Sequence, residues 1–193
     1  EVRKHRLYLK VPIKECVDET GKVPIGTRWV DVSKGDQTNP EYRSRLVAKE
    51  FKKDRRDDLF AATPPLEAQK ILLPMAVTEE IGYQPGCKSQ GCKLDFIDVR
   101  RAYFHAEARR TVYVELPMED HQPGMCGKLN KAMYGTRDAA QNWEYAYMEF
   151  LENAGFESGN ATPCVFYHRS RNIWVVVHGD DFTVLASENQ LDW

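Results

Sequence analysis

The tetrapeptide His178-Gly179-Asp180-Asp181 separates two apolar runs, IWVVV (Ile173 to Val177) and FTVLA (Phe182 to Ala186). Runs rich in β-branched and aromatic residues, joined by a short polar break containing Gly, form a β-hairpin. Apolar flanks place the hairpin in a core, so its tip carries two carboxylates toward solvent or a cleft. Gly-Asp is ordinary turn chemistry, and the acidic tip alone decides nothing. A second apolar strand, Lys93 to Val99, also ends on a carboxylate, Asp98. If the two strands are neighbours, Asp98 and Asp180 converge. Converging carboxylates repel, and the usual relief is a hard divalent cation, most often Mg²⁺ shared with substrate phosphates. Two such ions about 4 Å apart can activate an attacking hydroxyl and stabilise a leaving oxygen in phosphoryl transfer.

The charge distribution supplies a counterpart to that acidic cleft. The net charge is only -2, yet residues 1–56 carry 15 Lys/Arg against 9 Asp/Glu, while residues 141–193 carry 2 against 8. The densest basic stretch is EYRSRLVAKEFKKDRR, Glu41 to Arg56. Arg43 and Arg45 alternate with Tyr42, Ser44 and Leu46, so on a strand both guanidiniums face one way and can grip a triphosphate together. A solvated basic edge is the competing reading of the same stretch.

At 193 residues, 42% hydrophobic and 29% charged, the chain belongs with ordinary globular proteins of one domain or two small lobes. Its longest apolar runs are far short of the ~20 residues that cross a bilayer, and no secretory leader is visible. Five cysteines at irregular spacing (Cys16, Cys87, Cys92, Cys126, Cys164) argue against a disulfide framework and for a reducing, intracellular compartment, cytoplasmic or nuclear rather than secreted. Cys87 and Cys92 lack a second ligand pair, so structural zinc is set aside.

Other strands are expected at Gly26 to Val32, Tyr42 to Lys49, Thr111 to Leu116, Lys128 to Met133 and Val165 to His168. A first helix is expected from Pro65 to about Ile81, ended by Gly82, with Ala68, Ile71, Leu72, Met75 and Ala76 on one face and Pro74 as a kink. A second begins after Asp138 as N-cap, carries an apolar stripe of Trp143, Ala146, Tyr147, Phe150, Leu151 and Ala154, and stops at Gly155. Irregular mixing of strands and helices gives an α+β class with a mainly antiparallel sheet packed on helices.

Seven blocks in order carry a resemblance: IGTRWV (Ile25 to Val30), YRSRLVAKEF (Tyr42 to Phe51), FAATPPLEA (Phe60 to Ala68), DVRRAYFHA (Asp98 to Ala106), VYVELP (Val112 to Pro117), KLNKAMYGTRDAAQNW (Lys128 to Trp143) and VVHGDDF (Val176 to Phe182). Through them the chain resembles the reverse transcriptase domain of copia-type long-terminal-repeat retrotransposons. The resemblance implies the fingers and palm of a right-hand polymerase, with residues 1–92 and 108–140 as fingers, 93–107 as the first palm strand and 141–193 as the palm helix and hairpin. The thumb is absent from that account, as are ribonuclease H and integrase, so the segment reads as part of a longer Pol polyprotein with little processive activity by itself.

By the same resemblance Asp98, Asp180 and Asp181 are the catalytic, metal-binding aspartates, served by Mg²⁺ or Mn²⁺. Tyr103 lies under the incoming sugar and disfavours a 2′-hydroxyl. Arg43 and Arg45 contact the triphosphate, Lys49 assists or touches template phosphate, and Gly135 with Arg137 lies beneath the templating base pair. Implied partners are an RNA or DNA template with its primer, a deoxynucleoside triphosphate and the rest of the polyprotein, with no membrane. Two departures stand out: His178-Gly179 replaces the family's Tyr-Val before the aspartates, and Asp138-Ala139-Ala140 stands where a proline is usual. A degenerate copy that only binds nucleic acid, and a metal-dependent nuclease or phosphotransferase, are the alternatives.

Overall fold

The computed structural model describes residues 2–51, 59–78, 81 and 91–192. The chain divides into two compact units, each made of two separate segments: Glu1–Phe60 with Tyr103–Trp143, and Ala61–Ala102 with Glu144–Trp193.

The first unit holds a three-stranded antiparallel sheet in the order β1 (Tyr8–Pro12), β6 (Met125–Leu129), β5 (Tyr113–Val114), and a hairpin of β2 (Thr27–Ser33) with β3 (Tyr42–Ala48). Helix α1 (Ile13–Thr20) follows β1 directly and ends at Gly21, whose φ of 66° supplies the left-handed turn that stops it. Leu7, Leu46, Ala48, Phe104, Val112, Val114, Leu129 and Met133 form the main core. Val11, Cys16, Tyr113 and Cys126 form a smaller one beneath α1.

The second unit is a five-stranded antiparallel sheet in the order β4 (Cys92–Asp98), β10 (Asp181–Ser187), β9 (Ile173–His178), β8 (Val165–His168), β7 (Glu157–Ser158). Period-two alternation gives the sheet two apolar faces, and each is covered by a helix. Leu72, Ala68, Met75 and Ala76 of α2 (Leu66–Val77) pack against Leu185, Val176, Leu94 and Trp174. On the other face Tyr147 of α3 (Ala139–Asn153) meets Phe166 and Phe182 edge-on at 6.1 and 5.9 Å between ring centroids. A short α4 (Glu188–Leu191) follows β10. Mixed helices and antiparallel sheets match the class read from the sequence.

Several elements differ in detail from the expectation. The strand expected at Lys128 to Met133 lies at Met125–Leu129, because the N–H groups of Asn130 and Lys131 turn away to the Leu7 carbonyl at 2.9 and 3.2 Å. The strand expected from Thr111 to Leu116 is paired only at Tyr113–Val114. Helix α2 runs through Pro74 but ends at Val77, and Thr78 turns extended with its hydroxyl donating to the Pro74 carbonyl at 2.6 Å. Gly82, the expected stop, lies outside the described residues, as do Cys87 and the four basic residues Lys52, Lys53, Arg55 and Arg56. Ile71 and Phe150, placed on the apolar stripes by periodicity, are 57% and 71% exposed. Their neighbours Leu72 and Leu151 take the buried positions, and Asn142 and Glu144 are buried on α3 in addition. Strand β1, helix α1 and strand β7 had no sequence expectation.

Candidate catalytic carboxylates and phosphate-facing residues

Strands β4 and β10 are hydrogen-bonded neighbours, and their register pairs Asp98 with Asp181 directly. Residues opposite each other in an antiparallel pair share a face, with Cβ atoms about 5 Å apart. Asp180 sits beside them in the turn: its carbonyl accepts the Val99 N–H at 2.9 Å, which ties the hairpin tip to the end of β4. Gly179 supplies the turn, with a φ of 66° and open space around the position of a side chain. All three aspartates are exposed. His178 pairs with Asp181 from the other side, so Asp98, Asp181 and His178 form one row across three strands.

The hard carboxylate oxygens in this row suit Mg²⁺ held through one or two protein carboxylates together with substrate phosphates. Among the described residues, no three His, Cys, Asp or Glu side chains already stand close enough to hold an ion unaided.

The other sequence candidates belong to the first unit. In β3, Leu46 and Ala48 go into the core, which leaves Arg43 and Arg45 on the opposite face, both exposed. The Arg45 guanidinium lies 5.8 Å from the centre of the Tyr134 ring, within cation–π range. Tyr103, in the 3₁₀ turn Ala102–His105, packs against the same ring with centroids 4.7 Å apart and planes tilted by 42°. Phe104 meets it edge-on at 5.7 Å. Arg45 and Tyr103 are thus joined through Tyr134, which sequence reasoning passed over. Its signal was only its place before Gly135 within one of the quoted blocks.

Gly135 has a φ of 85°, and an added Cβ would stand 2.0 Å from the Ala48 carbonyl oxygen and 2.5 Å from Val47 Cγ1. The glycine is required by the chain's own β3, onto which this loop docks through Ala48 N–H to the Tyr134 carbonyl at 2.7 Å. Lys49 donates its N–H to the Gly26 carbonyl at 2.8 Å, and its side chain lies across that glycine, where a Cβ would come within 2.7 Å of Lys49 Cε and 3.2 Å of Glu115 Oε2. The Arg137 backbone N–H donates to Glu50 Oε2 at 2.8 Å.

A second group missed from the sequence braces this region. The Arg110 guanidinium donates to Glu50, just past β3, and to Asp138 Oδ1 at 2.9 Å, and Asp138 Oδ2 accepts from the Asn142 amide at 3.0 Å. Burial pushes the Asp138 carboxyl upward, but the Arg110 hydrogen bond and charge outweigh it and hold it below the usual carboxylate range. Asp138 precedes α3 as expected of a cap, yet its carboxylate serves this ion-pair network. No helix among the described residues is long and apolar enough to cross a membrane.

Residues 15–191 match the model of the reverse transcriptase (RNA-dependent DNA polymerase) family. The chain is 25% identical over 182 residues to the retrovirus-related Pol polyprotein from transposon TNT 1-94 of Nicotiana tabacum, an alignment covering 89% of this chain and 13% of that protein. It is 24% identical over 177 residues to the corresponding polyproteins from transposons RE1 and RE2 of Arabidopsis thaliana, covering 86% of this chain and 11% of each. The chain thus spans only a small part of the curated relatives it matches. These matches bear out the resemblance drawn from the seven sequence blocks, and the chain belongs to the reverse transcriptase (RNA-dependent DNA polymerase) family.

Proposed function

We propose that this chain carries the nucleotidyl-transfer centre of an RNA-directed DNA polymerase, with the unit bearing β4, β9 and β10 as palm and the unit bearing β2 and β3 as fingers. The observation that supports this most is the register of Asp98 on Asp181 with Asp180 tied to the end of β4. Asp98, Asp180 and Asp181 would hold Mg²⁺, or Mn²⁺ in its place. When bound, the ion supplies Lewis-acid activation of the primer 3′-hydroxyl and charge stabilisation at the phosphate.

The chain's own residues do the rest. Arg43 and Arg45 share one exposed face of β3, where planar guanidiniums pair with phosphate oxygens. Lys49 adds charge at the strand end, and Tyr103 presents an aromatic wall against which a ribose 2′-hydroxyl would clash. Gly135 keeps the 134–137 loop tight against β3 and so fixes where Arg137 leaves the chain. Template, primer, deoxynucleoside triphosphate and the remaining parts of a polyprotein are the partners this reading requires.

Single-nucleotide incorporation on a primed RNA template tests the reading. The full chain with Mg²⁺ is expected to extend the primer by one deoxynucleotide, and Asp98→Asn and Asp180→Asn to reduce the rate at least 100-fold. Salt-sensitive template binding with no incorporation would favour a copy that only binds nucleic acid. Hydrolysis of the strand without any triphosphate would favour a nuclease.

A further inference from the structure

Tyr134 is contacted on several sides by groups of different chemistry. Arg45 lies over its ring at 5.8 Å, Tyr103 packs at 4.7 Å, and Phe104 closes an edge at 5.7 Å. Its backbone is pinned as well: the Tyr134 carbonyl accepts the Ala48 N–H at 2.7 Å, and Gly135 next to it has no room for a side chain against β3. A ring fixed at both backbone and edges is a rigid spacer between a flexible guanidinium and a tilted phenol.

We infer that Tyr134 is a positioning residue that holds the Arg45 guanidinium and the Tyr103 ring in a fixed relation, coupling the grip on a triphosphate to the check on the sugar. The inference rests on the proposed roles of Arg45 and Tyr103 and goes beyond them. An exposed arginine samples many rotamers, and ordering one at the moment of binding costs side-chain entropy. Stacking on Tyr134 orders Arg45 beforehand, so phosphate meets a guanidinium already aimed. The same ring backs Tyr103, so removing it loosens the wall that excludes a 2′-hydroxyl. Loss of Tyr134 should therefore damage two functions that no single contact residue serves.

Calorimetric titration of the full chain with inorganic tripolyphosphate reads the first function without requiring polymerisation. Tyr134→Leu is expected to weaken binding about tenfold, Tyr134→Phe to retain it, and Arg45→Lys, which keeps the charge but loses the planar stack, to weaken it as Tyr134→Leu does. Incorporation assays on the same proteins read the second: the preference for a deoxynucleotide over a ribonucleotide should fall at least fivefold in Tyr134→Leu and stay unchanged in Tyr134→Phe. If Tyr134→Leu does not fold, Tyr134→Met, which keeps a large apolar side chain but no ring face, takes its place and is expected to weaken binding likewise. Tripolyphosphate binding that is absent in the unsubstituted chain, or equal in all variants, overturns the inference. Binding that follows the expected order in a chain that incorporates nothing would instead sink the polymerase reading and leave the Tyr134 coupling to phosphate standing.

Discussion

Arg110 illustrates how much one side chain can hold in place here. It spans Glu50, just past β3, and Asp138, just before α3, and Asp138 is buried with its second oxygen on Asn142. Truncation to Met keeps the apolar stem but leaves a buried carboxylate without its counter-charge, a loss of about 3 kcal/mol by the measure of similar pairs. Chemical denaturation of Arg110→Met against the unsubstituted chain checks it. A pH dependence follows from the same group. The Asp138 carboxyl lies lower in the folded protein than in the unfolded chain, where it is about 4. Its stabilisation is complete above that value and drains as pH falls through the lower folded one. Denaturation midpoints measured from pH 6 down to pH 2 should therefore fall, and Asp138→Asn should flatten part of that fall while starting from a lower midpoint.

The two loop glycines that flank functional segments behave differently because their surroundings differ. Both have left-handed backbone, Gly135 at 85° and Gly179 at 66°, but only Gly135 faces an obstacle, the Ala48 carbonyl 2.0 Å from a built Cβ. Gly179→Ala should cost about 1 kcal/mol, the price of the left-handed conformation alone. Gly135→Ala adds a backbone clash and should cost about 3 kcal/mol or more. Urea denaturation of the two variants side by side tests this, and equal losses would mean that the 134–137 loop does not dock on β3 as described. At the same scale lies the difference between what a sequence discloses and what it hides. The hairpin around Gly179 was legible because apolar flanks and a Gly-Asp break are local signals. Strand β6 was misplaced because Gly127 makes Met125–Leu129 read as loop. In the fold that glycine is covered by the Tyr8 ring, whose Cγ would lie 2.8 Å from an added Cβ. The exposure of Ile71 and Phe150 was hidden for another reason: helical periodicity places a residue on a stripe, and only the partner surface decides how wide the buried stripe is.

Within each unit, Asp98 with the hairpin aspartates, and Arg45 with Tyr103 and Tyr134, come from remote parts of the chain, and each group's meeting depends on topology. The two strand ends predict that Asp98 converges on Asp180; the β4–β10 register sets it opposite Asp181, with Asp180 in the adjoining turn. Tyr134 and Arg110 were not legible, since an aromatic before a glycine and an arginine in the loop before β5 carry no pattern until their partners fold around them. The uneven charge is also a property of this scale. Although the net charge is -2, residues 1–56 are basic, so affinity for a primed template should fall steeply with salt. Replacing Lys49, the residue assigned to template phosphate, with Ala should reduce the slope of log affinity against log salt by roughly 1, the amount expected for one phosphate contact. Fluorescence anisotropy of a labelled template–primer across a salt series measures it.

In the proposed function, Asp98 and the hairpin aspartates share one cation brought in with the triphosphate. Mn²⁺ binding, followed by water proton relaxation in the presence of template–primer and a deoxynucleoside triphosphate, addresses it most directly. A bound, relaxation-enhancing ion is expected in the unsubstituted chain, with an affinity at least tenfold weaker in both Asp98→Asn and Asp180→Asn. Equal Mn²⁺ affinity in all three proteins would contradict it.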